Sequence, residues 1–261
     1  MQPTALSIAG FDPSAAAGVT ADLKTFSAFD TYGMAVITTL TAQNSTGVQA
    51  LQPVSEEFVG QQLEAVLADA DVRGVKIGML GSARNTRLLA DMLDRDPLPN
   101  VVLDPIFQTE SSGELLDRKG IQVLQRKLLP LVHLVTPNLA EAALLAGMDE
   151  IHEVKAMKEA ARRIHALGVR AVVVKGGRLP SRAIDVAYDG RHFRIFDGSR
   201  VTGVEARGLG CTFSSAITAQ LARGIELERA IDEAKRYVTR GLKSAVRVGR
   251  GRFHLGHPVH T

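Results

Sequence analysis

Short apolar runs alternate with amphipathic segments along most of the chain. The apolar runs are typical of buried strands and predict strands at Ala5–Ala9, Met34–Leu40, Val75–Ile77, Val101–Asp104, Leu131–Thr136 and Ala171–Lys175. The segments between them carry apolar residues at helical spacing and predict helices at Ala21–Phe29, Glu56–Ala68, Thr86–Leu93, Gly120–Leu128, Leu139–Leu145 and Lys155–Leu167. This alternation predicts an α/β protein with three α/β/α layers, in which helices cover both faces of a mainly parallel sheet.

The last third of the chain adds a different pattern. Two apolar runs, Ala183–Tyr188 and His192–Phe196, flank the dipeptide Asp189-Gly190, which is a strong hairpin-turn signal. The sheet is therefore expected to have an antiparallel edge hairpin. Two helices are predicted after it, at Cys211–Arg223 and Glu228–Val246. The sequence has no repeat, low-complexity segment or long linker, so a single domain over residues 1–261 is expected.

Composition narrows the class of protein. The 261 residues are 45% hydrophobic and 23% charged, which is ordinary for a soluble globular protein. No apolar run approaches the ~20 residues of a membrane span, and the first residues lack the basic start of a signal peptide. A single cysteine cannot form an internal disulfide, which suits a reducing compartment. A cytoplasmic protein without a membrane partner is expected.

The charge balance is slightly basic, with a net charge of +3. Arg247, Arg250 and Arg252 contribute much of the excess near the end of the chain. The chain has three Tyr, nine Phe and no Trp, which disfavours a nucleic-acid surface of interleaved basic and aromatic side chains. The basic end is either a solvated tail or a region that attracts an anionic substrate.

A glycine-rich turn precedes the predicted helix that starts at Cys211. In Gly208-Leu209-Gly210-Cys211, two glycines before a helix start allow backbone N–H groups to face an anion. A thiol there would lie at the positive end of the helix dipole, which lowers its pKa. The alternative is a plain glycine turn followed by a small buried cysteine. The run alone leaves both open.

Polar or glycine-rich residues also follow six of the predicted strands. Ligands of parallel sheets bind beyond the carboxyl ends of the strands, so these residues are expected to meet at one edge. The segments are Gly10–Ser14, Thr41–Asn44, Gly78–Gly81, Asp104–Pro105, Thr136–Asn138 with Glu141, and Lys175–Gly177. Together with the glycine turn they predict one site at that edge.

The residue types at these ends point to phosphoryl transfer. Asp104 and Glu141 are hard carboxylates that suit Mg²⁺, and Lys175 is a cation beside two glycines that permit close approach. Positioning, a metal, cations and N–H donors are what phosphoryl transfer requires. Each residue also has a plain structural interpretation: Asp104 as a turn cap, Glu141 as a first-turn helix residue, and Lys175 as a solvated strand end.

Several other chemistries lack their motifs. The sequence contains no Gly-x-x-x-x-Gly-Lys-Ser/Thr run of P-loop NTPases, no His-Glu-x-x-His or Cys-x-x-Cys zinc motif, and no Gly-x-Ser-x-Gly elbow of serine hydrolases. The run that starts at Gly249 opens no βαβ unit, so it is a poor dinucleotide fingerprint.

The motifs resemble those of hydroxymethylpyrimidine/phosphomethylpyrimidine kinases of thiamin biosynthesis, which belong to the ribokinase-like superfamily and are related to pyridoxal kinases. The match runs in order over nearly the whole chain, from Ala5 to His260. The motifs are Ile8-Ala-Gly-Phe-Asp-Pro-Ser, Gly18-Val-Thr-Ala-Asp-Leu-Lys-Thr-Phe, Thr41-Ala-Gln-Asn, Ile77-Gly-Met-Leu-Gly, Leu103-Asp-Pro, Val135-Thr-Pro-Asn-Leu, Val174-Lys-Gly-Gly and Gly208-Leu-Gly-Cys-Thr-Phe-Ser-Ser.

The resemblance implies a ribokinase-like fold and a kinase that transfers the γ-phosphoryl group of ATP, with Mg²⁺, to the pyrimidine alcohol and then to its monophosphate. It also implies a homodimer. Its implied pyrimidine-site residues are Gln43, as a hydrogen-bond partner, and Gly10, Asp22 and Met79 in or near the pocket. Its implied ATP contacts are Asn138, Lys175, Gly176, Gly177 and Lys235, and its Mg²⁺ carboxylates are Asp104 and Glu141. Its implied anion hole is Gly208, Gly210 and Cys211, with Cys211 where many relatives carry an aspartate base.

Three departures from the family pattern keep other functions open. Ala15 and Ala16 replace the usual glycines after Ser14, Leu209 replaces the usual threonine of the turn, and Glu110 stands where a cation could meet phosphate. The alternatives are a kinase efficient in only one of the two steps, a pyridoxal or pyridoxine kinase, and a pyrimidine- or nucleotide-binding protein without turnover.

Overall fold

The computed structural model describes residues 2–109, 113–179 and 182–258, in which a central sheet organises the chain. The strands are β1 (Thr4–Phe11), β2 (Tyr32–Asn44), β3 (Gly47–Pro53), β4 (Gly74–Ile77), β5 (Val101–Leu103), β6 (Gln108–Thr109), β7 (Gly113–Glu114), β8 (Leu134–Val135), β9 (Ala171–Gly176), β10 (Ile184–Tyr188), β11 (Phe193–Phe196), β12 (Ala206–Arg207) and β13 (Phe253–His254). Within these ranges nine strands form the sheet, in the order β11-β10-β9-β8-β5-β4-β1-β2-β3. The six strands from β9 to β2 are mutually parallel.

Helices cover both faces of this sheet, which confirms the predicted three-layer architecture. They are α1 (Gly18–Ala28), α2 (Glu56–Leu67), α3 (Ala83–Arg95), α4 (Arg118–Val123), α5 (Leu139–Ala146), α6 (Val154–His165), α7 (Leu209–Ala222) and α8 (Leu227–Lys243). One core lies beneath α2 to α6 and a second beneath α1, α7 and α8. No helix in the described ranges has the length and apolar character needed to cross a membrane.

Burial on both faces explains why the parallel strands are continuous apolar runs. In β5, Val101 and Leu103 lie in the first core, whereas Val102 lies in the second. In β9, Val172 and Val173 divide between the two cores in the same way. Successive strand side chains point to opposite faces, so a strand with two covered faces has no polar positions to alternate with.

Both edges of the sheet are antiparallel, although only one such edge is predicted. The predicted hairpin around Asp189-Gly190 is β10–β11. At the opposite edge β2 extends to Asn44 and pairs antiparallel with β3, Gly47–Pro53. Most residues of β3 are exposed, so the segment lacks the apolar run by which strands are recognised. Its presence places Gln43 in a strand rather than in a loop.

The segment before β8 also differs from the prediction of a strand over Leu131–Thr136. Here α4 continues into a π-helical turn at Leu124–Leu128 and a 3₁₀ turn at Leu129–Leu131. The strand itself is only Leu134–Val135. Pro130 lies in the first turn of the short helix, where its missing N–H costs nothing.

Candidate active site

The sheet changes direction at β1, which creates a natural ligand site. The chain passes from β1 to β2 on one side and later returns to β4 on the other side of β1. Open α/β sheets bind ligands beyond the carboxyl ends of strands at such a switch point. The segments that follow β1, β4, β5 and β9 supply most of the polar residues described next.

Three residues that are far apart in the chain meet at this edge. The Lys175 Nζ atom, at the end of β9, lies 2.6 Å from Asp104 Oδ1, just beyond β5. A Cβ built on Gly210, in the first turn of α7, would lie 3.2 Å from Lys175 Nζ and 3.4 Å from Asp104 Oδ2. The absence of a side chain at Gly210 therefore leaves the space above the ion pair open to a ligand. Burial lowers the pKa of Lys175, but Asp104 and Glu141 outweigh it, so the pKa is raised and the ammonium stays charged.

The glycine turn itself requires a glycine at position 208. Gly208 is the N-cap of α7 and has φ +83°, in the left-handed region. A Cβ there would clash with the carbonyl oxygen of Ala16. The turn and the loop after β1 are thus in direct backbone contact.

Asp12 organises that loop. Its carboxylate accepts hydrogen bonds from the backbone N–H of Ser14 at 2.8 Å and of Ala17 at 3.0 Å, and from Gln43 Nε2 at 2.8 Å. Asp12 is only 3% exposed, so these donors replace its water. Asp12 has no role of its own among the residues predicted from the sequence, although its position directly after the first strand is a signal for one.

Ala15 in this loop adopts a strained backbone conformation, with φ +56°. A non-glycine residue in the left-handed region destabilises the folded protein by roughly 1–2 kcal/mol. Substitution by glycine removes this strain, but part of the gain is lost because glycine makes the unfolded chain more flexible. We therefore expect Ala15→Gly to raise the free energy of unfolding by about 0.5–1 kcal/mol. Denaturant titration measures this. Ala68→Gly is the control, because Ala68 has an ordinary helical φ of −70°, and a gain of equal size there would contradict the explanation.

Glu141 lies beside the ion pair and forms a capping box with Asn138. Glu141 Oε2 accepts the Asn138 N–H at 2.7 Å, and Asn138 Oδ1 accepts the Glu141 N–H at 3.0 Å. Burial raises the pKa of Glu141 to about 7, with Lys175 lowering it and Asp104 raising it. Glu141 therefore does cap the first turn of α5, as its plain structural interpretation requires. The same hydrogen bonds hold its carboxylate near Asp104, so the capping is compatible with a role as a Mg²⁺ ligand.

The carboxylates suit Mg²⁺. In the described residues no three His, Cys, Asp or Glu side chains form a group that could hold a metal ion. Mg²⁺ usually takes only one or two carboxylates and completes its shell with phosphate oxygens and water. Asp104 and Glu141 match that donor set. Burial and, to a smaller extent, the charge of Asp104 raise the pKa of Glu141, and a divalent cation bound by the two carboxylates would offset both effects.

A pocket opens beside this cluster. It holds about 500 Å³ of space including its mouth, and its walls include Gly10, Gln43, Met79, Lys76 and Cys211. A Cβ on Gly10 would clash with Met79 Cε, so the methionine lies flat against the strand. Apolar side chains complete the walls; they are Val48, Leu51, Ile106 and Leu115. An apolar slot with few polar groups suits a small flat ring.

Asp22 lies behind the pocket wall and not in the pocket. It is fully buried and accepts hydrogen bonds from Lys76 Nζ at 2.8 Å, Ser7 Oγ at 2.6 Å and Ser215 Oγ at 2.7 Å. Its partner Lys76 is the one that reaches the pocket. A lysine in the middle of the short apolar run Val75–Ile77 is the sequence signal for this buried ion pair, which was not predicted.

Cys211 is 7% exposed and its backbone begins α7 near the pocket. Burial raises the pKa of its thiol to about 11, while Lys76 lowers it and Asp22 and Asp104 raise it further. The expectation of a lowered thiol pKa is therefore wrong, because loss of hydration outweighs the favourable helix end. The group is a neutral thiol at pH 7.

We expect Cys211 to react slowly with iodoacetamide. At pH 8 a thiol with a pKa of about 11 has roughly 100-fold less thiolate than an ordinary one. Cys211 is the only cysteine, so mass spectrometry of the intact protein reports its alkylation directly. The same protein in denaturant should react at the rate of free cysteine, and an equal rate in the native state would contradict the assigned pKa shift.

The residues expected to contact ATP divide between two places: Lys175 and Asn138 belong to the cluster around Asp104 and Glu141, whereas Gly176 and Lys235 meet at Asp185 of β10. Lys235 Nζ lies 2.6 Å from Asp185 Oδ2, and Asp185 Oδ1 accepts the Gly176 N–H at 2.9 Å. A Cβ on Gly176 would clash with the Ile184 carbonyl oxygen, whereas one on Gly177 would meet no described atom within 4 Å. Gly177 thus faces open space next to Lys175, and Lys235 is held by Asp185. Glu110, Ser111 and Ser112 lie outside the described residues.

The three-layer fold, with a lysine, two carboxylates and a glycine turn beside a small pocket, defines a kinase for a small molecule. The family model for phosphomethylpyrimidine kinase matches residues 12–256. The chain belongs to this family, and the ribokinase-like fold expected from the sequence is confirmed.

Individual relatives agree with this assignment. The chain is 40% identical over 248 residues to a hydroxymethylpyrimidine/phosphomethylpyrimidine kinase of Aquifex aeolicus, covering 95% of this chain and 97% of the relative. A phosphomethylpyrimidine kinase structure from Clostridium difficile superimposes with a TM-score of 0.80 at 38% identity, covering 91% and 98%. The ADP complex of Bacillus subtilis pyridoxal kinase superimposes with a TM-score of 0.91 at 36% identity, covering 99% and 98%.

Proposed function

We propose that the protein phosphorylates 4-amino-5-hydroxymethyl-2-methylpyrimidine and its monophosphate with ATP and Mg²⁺, as a step of thiamin biosynthesis. The observation that carries this proposal is the meeting of Lys175, Asp104 and Gly210 beside a pocket that contains Gln43. The names of the relatives in the same family support the acceptor. The test is incubation with ATP, Mg²⁺ and each pyrimidine, against a Lys175→Ala, Cys211→Ala control.

Each residue has a distinct part in this proposal. Gln43 donates to Asp12 through Nε2 at 2.8 Å. Its Oε1 accepts one long hydrogen bond, from Thr41 Oγ1 at 3.5 Å, which leaves it able to accept from the amino group of the pyrimidine. Lys175 and the N–H groups of the turn from Gly208 to Gly210 balance the negative charge of the phosphoryl group in transfer. Asp104 and Glu141 would hold Mg²⁺, which neutralises phosphate charge when bound.

Cys211 does not act as a general base in this proposal. Its thiol carries its proton at neutral pH because its pKa is about 11. We propose that Cys211 lines the anion hole through its backbone and its small side chain. A Cys211→Ser variant is expected to keep the rate within about tenfold, since both side chains are small donors.

The raised pKa of Glu141 predicts a pH dependence of Mg²⁺ binding. A carboxyl with a pKa of about 7 is largely protonated at pH 6 and ionised at pH 8, and the cation must displace that proton. We expect the dissociation constant of Mg²⁺ to be about 10-fold larger at pH 6 than at pH 8. Calorimetry with a non-hydrolysable ATP analogue measures it. Glu141→Gln removes the titrating group and keeps the capping box, so it should lose the dependence that belongs to Glu141. An unchanged dependence in that variant would contradict the assignment.

Pyridoxine or pyridoxal phosphorylation is the second candidate. It is favoured by the high structural similarity to Bacillus subtilis pyridoxal kinase, and both acceptors are flat heteroaromatic rings with a hydroxymethyl group. Competition between the pyrimidine and pyridoxine in one reaction separates the two. We expect the pyrimidine to be consumed first, and preferential consumption of pyridoxine would favour the second candidate.

We further propose that the protein acts in the cytoplasm as a homodimer. The location is supported by its one free, reduced cysteine, and the dimer by the family resemblance alone. Light scattering of the purified protein measures the assembly, and a single monomer mass would reject the dimer.

A further inference from the structure

Arg207 is a charged residue of the pocket wall that has no part in the phosphoryl transfer described above. It directly precedes the glycine turn, and its side chain lines the same pocket as Gln43, Met79 and Cys211. Its backbone is held in β12, which pairs with β13 so that Arg207 lies opposite His254. Its guanidinium Nη1 donates to the carbonyl oxygen of Asn44 at 2.7 Å. The strand pairing therefore fixes the backbone of Arg207, and the bond to Asn44 holds its guanidinium at the pocket wall.

Within the part of the chain that the structure describes, the charge of Arg207 has no ion-pair partner. Lys76, the lysine of the pocket wall, is neutralised by Asp22 at 2.8 Å. In contrast, no carboxylate among the described residues lies within ion-pair distance of Arg207, and its partner at Asn44 is a neutral carbonyl. A guanidinium carries five N–H donors in a planar fork, so one bond to a carbonyl leaves donors for a ligand. Burial and the nearby Arg252 lower the pKa of Arg207, and Asp12 and Cys211 offset this only in part.

The two proposed acceptors differ in charge. The hydroxymethyl group is neutral, whereas its monophosphate is an anion that must approach the phosphates of ATP. Two like-charged groups approach only where cations offset their repulsion. A phosphomethyl arm that reached from a ring in the pocket to Gly210 and Lys175 would pass the glycine turn, and Arg207 directly precedes that turn and lines the pocket.

We propose that Arg207 binds the phosphate of the monophosphorylated pyrimidine and thereby favours the second phosphorylation over the first. This inference rests on the proposed function and adds a residue that distinguishes its two acceptors. Arginine suits the task because its planar fork matches phosphate oxygens bidentately.

The test compares Arg207→Gln with the unaltered enzyme on each acceptor separately. We expect KM for the monophosphate to rise about 10- to 100-fold, the range of a lost charge-assisted hydrogen bond, with KM for the alcohol and for ATP within about twofold. Calorimetric binding of the monophosphate without ATP should weaken by the same factor. Arg207→Lys keeps the charge and should restore much of the binding. Arg252→Gln is the matched control, because it removes the same charge from a residue that does not line the pocket. Arg252 directly precedes β13, and its Nε lies 3.8 Å from Glu205 Oε2.

The possible failures are distinct. If the unaltered enzyme phosphorylates neither pyrimidine, the proposed function fails and this inference with it. If it phosphorylates both and Arg207→Gln weakens both acceptors equally, Arg207 only supports the β2–β3 hairpin and the inference is overturned. A rise in KM for ATP with either acceptor would assign Arg207 to the donor and would also overturn it.

Discussion

Replacing Lys175 by methionine is expected to lower kcat by about 10³-fold. The ammonium is the cation at the centre of the site, 2.6 Å from Asp104 and facing the space above Gly210. Removing one group that stabilises charge in a transition state typically costs 10²- to about 10³-fold, and a full positive charge belongs at the upper end. Steady-state rates with saturating ATP and pyrimidine measure the effect.

The same substitution breaks a buried ion pair, so stability must be measured beside activity. Asp104 is 2% exposed, and leaving its charge unpaired is expected to cost about 3–5 kcal/mol. Lys175→Met with Asp104→Asn removes both charges and should recover most of the stability while activity stays lost. If activity returned with stability, Lys175 would be a structural residue, and the proposed role in transfer would be wrong.

Replacing Gly208 by alanine is expected to lower kcat by at least about 100-fold. The residue has φ +83°, and a Cβ would clash with the Ala16 carbonyl oxygen. The turn and the loop around Asp12 cannot both keep their positions, and a displacement of about 1 Å at a reacting centre costs roughly 10²-fold. The free energy of unfolding should also fall by more than the ~1–2 kcal/mol of left-handed alanine.

Gly224→Ala is the control for Gly208→Ala. Gly224 has φ +80°, nearly the same backbone conformation, but a Cβ there meets no described atom within 4 Å. It should therefore show the backbone cost alone, with kcat unchanged. If the two variants had equal activity and stability, the contact between the turn and Ala16 would not matter for the site.

The layers and the parallel sheet could be predicted because their signal is local. The apolar residues of runs such as Ala171–Lys175 are buried on both faces of the sheet, so the composition of the run indicates its environment directly. The edge strand Gly47–Pro53 could not be predicted, because its residues are mostly exposed and its pairing with β2 leaves no apolar pattern. That hairpin supplies Val48 and Leu51 to the pocket, so the pocket was less predictable than the sheet.

The strand-end rule was sufficient to group Asp104, Glu141 and Lys175, because parallel strands align their carboxyl ends whatever their order in the sheet. It could not show that Lys76 pairs with Asp22, which is 54 positions away.

The predicted direction of the Cys211 pKa shift is wrong because it, too, depends on residues that are distant in the sequence. Its helix position is local and visible in the sequence, but its burial results from packing between distant segments.

The most direct test of the proposed function is phosphorus NMR of the unaltered enzyme with ATP, Mg²⁺ and the hydroxymethylpyrimidine. A monophosphate signal is expected to appear first and then to be converted to a diphosphate, with one ADP formed for each step. With Lys175→Met both signals should appear about 10³-fold more slowly. Unchanged ATP with both the alcohol and its monophosphate, while pyridoxal is phosphorylated under the same conditions, would contradict the proposed function.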